Sequence, residues 1–154
     1  MGYSGKHRIL GLKRHLLIDA NGNPLNFALS KANWHDQRKI LETVDGFKIG
    51  KRVRRPKRLG LDKGYDSEPL RQALRKLGII PNARYRKNHV TLPKGRPPKD
   101  KHEKRYNRQR WKVERSFAWL NNYDRLDRLL EESQKTYRAF MRVYFIKHYL
   151  KLLF

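Results

Sequence analysis

Between residues 58 and 81 the chain changes its apolar period twice, and that alternation leaves few folds open. Leu59 and Leu61 flank a glycine in a short apolar segment that ends on Asp62. Gly64 supplies a turn, Asp66 or Ser67 can cap the helix that follows by accepting its free amide hydrogens, and Pro69 suits a first helical turn. Leu70, Ala73, Leu74 and Leu77 recur at helical spacing, so the run 68–77 has one apolar face. Gly78 ends it, and Ile79-Ile80-Pro81 reads as a second strand. A strand, a helix and a strand in this order predict an α/β fold in which Asp62 stands at the carboxyl end of the first strand. Open α/β sheets bind their ligands at that end. An aspartate in a tight turn also serves simply by hydrogen-bonding nearby backbone, so Asp62 alone does not decide the function.

What surrounds that unit is strongly basic. Lys and Arg number 38 against 14 Asp and Glu, a formal net charge of +24 in 154 residues, with a sequence pI near 10.7. So cationic a domain repels itself without a polyanion, which makes nucleic acid the natural partner. The length suits one domain and its core. Cysteine is absent, which excludes disulfides and thiolate-bound metals and fits an intracellular compartment. Residues 1–6 lack the apolar core of a signal peptide, and the most apolar stretch, 137–154, is broken by Arg138, Arg142, Lys147, His148 and Lys151. These features predict a cytoplasmic, nucleoid-associated protein with no membrane partner. In such a chain, each carboxylate at a strand end or on a helix face calls for a reason.

In chain order, residues 12–18 read as a strand, Asp19-Ala20-Asn21-Gly22-Asn23-Pro24 as a dense turn signal, and 25–29 as the returning strand of a hairpin. The loop 30–36 can cap a helix over 37–44, whose Ile40, Leu41 and Val44 form an apolar stripe. Residues 48–58 hold seven basic side chains and no acid, and predict a basic loop at about 46–58. A second basic loop, at about 84–106, is rich in proline and glycine and is expected to order only on a partner. From Asn107 a strong helix is predicted, with Val113, Phe117 and Leu120 on its core face and Arg110, Glu114, Ala118 and Asn121 on another. A last helix, at about 135–152, should turn Phe140, Tyr144 and the run 146–150 inward.

Phosphodiester chemistry needs an activated oxygen nucleophile, a stabilised leaving oxygen and neutralised phosphate charge. Two magnesium ions about 3.5 to 4 Å apart supply all three where carboxylates converge on them. Asp62 and Glu114 are residue types suited to such a site, because magnesium takes oxygen ligands and keeps part of its water. Leu61-Asp62-Lys63-Gly64-Tyr65-Asp66-Ser67 and Arg110-Trp111-Lys112-Val113-Glu114-Arg115-Ser116-Phe117-Ala118-Trp119-Leu120 resemble the second-Asp and Glu motifs of bacterial insertion-sequence transposases with a DDE active site. Lys13-Arg14-His15-Leu16-Leu17-Ile18-Asp19 and Asn33-Trp34-His35-Asp36 resemble upstream segments of the same family, in the same order. The resemblance, over residues 11–130, implies a ribonuclease-H-like mixed sheet flanked by helices. It also implies Asp62 and Glu114 as catalytic metal-binding carboxylates for magnesium or manganese. Arg52, Arg54 and Arg55 of the basic run, with Lys63, Arg110, Lys112 and Arg115, are expected to bind phosphates. The implied partner is double-stranded DNA, at element ends and target, held by a homodimer.

The chain also departs from that family. Its Glu motif is Tyr-x2-Arg-x3-Glu-x6-Lys; here Asn107 stands at the tyrosine position, with Tyr106 one residue early, and Asn121 at the lysine position. The first Asp of the family precedes the hairpin, on a first strand not seen here. Asp19 falls in a turn sequence, and His35 and Asp36 suit a helix cap. The resemblance therefore implies the carboxy-terminal part of a catalytic domain, spanning 1–154, whose first Asp an upstream polypeptide supplies. Two other readings stay open: a catalytically incomplete transposase-derived DNA-binding protein, and a ribosome-like RNA-binding protein that leaves the Asp62 and Glu114 motifs as accidents.

Overall fold

A computed structural model of the chain describes residues 2–3, 10–45, 47–49, 51–83, 108–127 and 133–154. The basic stretch at 84–106 lies outside the described residues. In order the elements are β1 (Gly2–Tyr3), β2 (Leu10–Ile18), β3 (Pro24–Lys31), α1 (Gln37–Asp45), β4 (Lys48–Ile49), β5 (Arg52–Val53), β6 (Arg58–Leu61), α2 (Glu68–Lys76), β7 (Ile80–Ala83), α3 (Trp111–Asn121), α4 (Asp124–Asp127) and α5 (Gln134–Leu153). The fold is mixed α/β, as expected. The described strands form three separate sheets: β1-β2-β3, β4-β5 and β6-β7. Two compact units emerge, Met1–Trp34 with Trp111–Phe154, and His35–Arg110.

In the first unit β2 and β3 pair antiparallel from Leu12 opposite Lys31 to Leu16 opposite Phe27, with an irregularity between Leu17 and Ile18 where the turn begins. Pleating sends Leu12 and Leu16 to one face. There, with Phe27 and Leu29, they pack on a cluster of Leu120, Leu126, Tyr137, Met141 and Tyr144 from the three helices. His15 lies on the opposite face of the strand, where its Nε2 meets the Ser30 hydroxyl at 2.8 Å, a buried polar pair whose members satisfy each other.

The last helix starts on Ser133, whose hydroxyl accepts from the Lys135 amide at 3.2 Å. Its inward stripe is Tyr137, Met141 and Tyr144, with Phe140 and Phe145 packed beside it. Continuing at that spacing brings His148, half-buried, to ring contacts with Trp119 and Tyr144. The expectation for 146–150 is thereby corrected: Ile146 and Leu150 are about half-exposed, because the helical period carries the core face through His148 instead. In α3 the deeply buried positions are Ser116 and Leu120, with Phe117 only partly covered.

In the second unit β6 and β7 run parallel, joined by α2, with Arg58 opposite Ile80 and Leu61 opposite Ala83. Leu70 and Leu74 of α2 are buried, as are Ile40 and Val44 of the neighbouring α1. Gly78, at φ +76°, lets the chain leave α2 and enter β7. The 48–58 run, expected as a loop, contains the short antiparallel pair β4-β5, with Lys48 opposite Val53.

Burial, reinforced by the neighbouring Tyr123, pushes the Tyr144 hydroxyl up to about 12, and that oxygen has no hydrogen-bond partner among the described residues. Since the neutral form is favoured in the folded state, its contribution to stability is intact below the ordinary value of 10.0 and is lost as pH rises towards about 12. Tyr144→Phe removes a hydroxyl that lacks a partner, so it should unfold at the same or higher denaturant concentration near neutral pH and lose less stability between pH 10 and 12. A neutral-pH loss above about 1 kcal/mol, the worth of a typical hydrogen bond, would show that the hydroxyl is partnered.

Candidate catalytic and nucleic-acid site

Asp62 leaves the end of β6 into a single 3-10 turn, Lys63–Tyr65, closed by the Tyr65 amide donating to the Asp62 carbonyl at 2.9 Å. Gln37 Nε2 of α1 donates to the Gly64 carbonyl at 3.0 Å and fixes the turn from outside. Asp66 then points inward. Arg71 Nη2 donates to its Oδ1 at 2.9 Å and to the Ala83 carbonyl of β7 at 2.7 Å, and both charged side chains are buried. The capping role expected of Ser67 is corrected. Ser67 occupies the N-cap position of α2 but its side chain caps nothing, while Asp66 is committed to Arg71.

Asp62 itself stays exposed, and its Oδ1 accepts from Arg110 Nη1 at 2.9 Å. Three residues on, burial first and then the charges of Asp36 and Asp62 push the Tyr65 hydroxyl up to about 12. Those influences place Asp36 and Asp62 within electrostatic reach of one tyrosine. Asp36 thus gathers in the same unit as Asp62, while its backbone carbonyl accepts the Lys39 amide at the start of α1.

In the other unit Glu114 is exposed on the first turn of α3. The same helix grips the hairpin turn. Lys112 Nζ donates to the Ala20 carbonyl, Arg115 Nη2 to Asn21 at 3.0 Å, and Ser116 Oγ to Gly22 at 2.9 Å. Gly22 sits at φ +94°, and a Cβ there would come within 2.8 Å of the Arg115 guanidinium, so glycine answers both the backbone and the close approach. The Arg115 guanidinium also lies between the Trp111 and Trp119 rings, 4.7 Å from each centroid. Asp19 is occupied within the turn, its Oδ1 accepting from the amides of Asn21 and Asn23 at 2.8 Å each and its Oδ2 from Asn23 Nδ2. Asn121, at the position where the resembled motif carries lysine, accepts from Arg14 Nη2 at 2.8 Å. A lysine there would face that guanidinium.

Of the residues singled out from sequence, the structure brings Asp62 and Arg110 together. Arg52 and Arg54 are exposed at β5 and just beyond it. Arg55 pairs with Asp45 at the end of α1 through Nη2 at 2.6 Å. The Lys63 backbone forms the turn after Asp62. Lys112 and Arg115 hold the turn at 19–23. Among the described residues no group of three or more His, Cys, Asp or Glu is placed to hold a metal ion. The donor types nonetheless fit a hard cation, since magnesium accepts one or two carboxylates and keeps its remaining water. Sequence reasoning missed Arg71 and Gln37. An Asp followed five positions later by Arg on the next helix is a faint signal for the first; nothing local marks the second.

A family model described as Transposase DDE domain matches residues 1–146. The chain is similar to a protein of Burkholderia cepacia described as putative transposase for insertion sequence element IS402. The two are 33% identical over 138 residues, a match covering 86% of this chain and 60% of that relative. The chain thus spans less than two thirds of the length of the relative it matches. No solved structure matches.

The buried Asp66–Arg71 pair generates a test. Arg71→Met takes the guanidinium away from a buried carboxylate and should cost about 3 to 5 kcal/mol of unfolding free energy. Asp66→Leu combined with Arg71→Met should recover part of that loss in denaturant titrations. If the double variant loses the sum of the two single losses, the residues are not coupled.

Proposed function

The chain belongs to the transposase DDE domain family, and from that premise we propose that it is the carboxy-terminal part of a DNA transposase catalytic domain with a ribonuclease-H-like fold. Its substrate is insertion-sequence DNA, cut by hydrolysis and rejoined by transesterification. The observation that carries this reading is Asp62, exposed at the carboxyl end of the parallel strand β6 in a chain of net charge +24.

In this reading Asp62 and Glu114 carry the second and third acidic positions, and an upstream polypeptide carries the first. When bound, two magnesium or manganese ions supply the activated nucleophile and the stabilised leaving oxygen. The chain's own residues do the rest. The Asp66–Arg71 pair and the Gln37 contact hold the Asp62 turn in place, and the grip of α3 on the hairpin turn fixes the helix that bears Glu114. Arg52, Arg54 and Arg55, with Lys63, take phosphates from one unit, while Lys112 and Arg115 add positive charge from the other. Two copies of the chain hold the element ends and the double-stranded target.

A second reading, a catalytically incomplete DNA-binding protein derived from a transposase, is favoured by one observation: among the described residues no three or more His, Cys, Asp or Glu side chains gather as a group that could hold a metal ion. The two separate in one assay. With the upstream polypeptide supplied, magnesium or manganese should support nicking of element-end DNA, and Asp62→Ala should abolish nicking while leaving DNA binding intact. Metal-independent binding with no nicking under any supplement supports the second reading. In either case affinity should fall steeply with salt. Arg52→Ala with Arg54→Ala should lower the slope of log K against log salt by about 2, at about 0.9 per lost phosphate contact. An unchanged slope removes these two residues from the interface.

A further inference from the structure

Two aspartates four residues apart after β6, Asp62 and Asp66, each pair with an arginine, and the two pairs differ in kind. Asp66 and Arg71 are buried, with side-chain exposures of 2% and 5%, and Arg71 is held a second time by the Ala83 carbonyl. Asp62 and Arg110 are about half-exposed, at 52% and 54%. Breaking the first leaves a buried charge, so it is permanent. An exposed pair contributes little and opens readily to a competitor.

We propose that Arg110 is the exchangeable counter-cation of Asp62: it neutralises the carboxylate while no divalent ion is bound, yields Oδ1 to that ion, and is thereby released to a DNA phosphate. The guanidinium suits the second role, because its fork of N–H groups matches a phosphate as well as a carboxylate. One side chain then couples metal binding to DNA binding, and the coupling works equally in both directions. This rests on the reading of Asp62 as a metal-binding carboxylate.

The test uses the full chain in two measurements. In chelator, binding to a labelled duplex is followed by fluorescence anisotropy for the wild type, Asp62→Asn, Arg110→Gln and the double variant. Removing the Asp62 charge should tighten binding more when Arg110 is present, by a factor of about 2 to 5, the worth of an exposed ion pair. An equal gain in both backgrounds overturns the proposal. In a manganese titration followed by electron paramagnetic resonance, Arg110→Gln should bind manganese about 2- to 5-fold more tightly than the wild type, and Asp62→Asn should abolish that gain. Manganese binding that depends on Asp62 but is unmoved by Arg110→Gln overturns the exchange and leaves Asp62 a ligand. Manganese binding indifferent to Asp62→Asn overturns both this proposal and the catalytic reading beneath it.

Discussion

The second unit depends on one buried guanidinium. Arg71 stands on α2 and reaches both Asp66, in the segment leaving β6, and the Ala83 carbonyl at the end of β7. Three successive pieces of chain, the turn after a strand, a helix and the next strand, are fixed to each other by that one side chain. Taking charges from water is expensive, and it succeeds here because each donor contact ends on an oxygen also removed from solvent. A surface residue four positions earlier, Asp62, inherits a defined position without itself being buried. Exposure and placement, which usually oppose one another, are reconciled by putting the anchoring charge next to the exposed one.

The first unit solves a similar problem with neutral acceptors. The turn at 19–23 has carbonyls that neither strand can satisfy, and α3 supplies a lysine, an arginine and a serine in succession to meet them. Tyr149 and His148 of α5 reach the same place, the tyrosine hydroxyl donating to the Pro24 carbonyl at 3.0 Å and the imidazole lying 3.1 Å from Asn23 Oδ1. Two helices therefore read one turn. Their cationic side chains are spent on protein in part, which leaves less of the +24 charge available to a polyanion than the count suggests.

Much of this was legible in the sequence wherever a local rule governed. The hairpin, the helix 68–76, its closing glycine and the parallel strands around it follow from period and turn chemistry, and so does the turn role of Asp19. What escaped depends on contacts distant along the chain. The inward direction of Asp66 is decided by Arg71 and Ala83, not by the helix it precedes. The core face of α5 runs through His148 because Trp119 and Tyr144 receive that ring, while Ile146, more apolar, is left outside. Hydropathy ranks residues singly, and packing chooses them by position. The candidate site was legible as residue types, and Arg110 beside Asp62 is a geometry that spacing alone did not reveal.

The division of the chain has a consequence for synthesis. His35–Arg110 is contiguous, whereas the first unit is built from two segments separated by that whole stretch. The β2-β3 hairpin is made before the second unit, with Leu12, Leu16, Phe27 and Leu29 directed at helices not yet made. Its partners, Leu120, Met141 and Tyr144, arrive only after the second unit has been translated. Pairings that wait for distant chain are slow to close and leave apolar strands uncovered meanwhile. The hairpin is thus a segment that needs protection until α3 and α5 emerge.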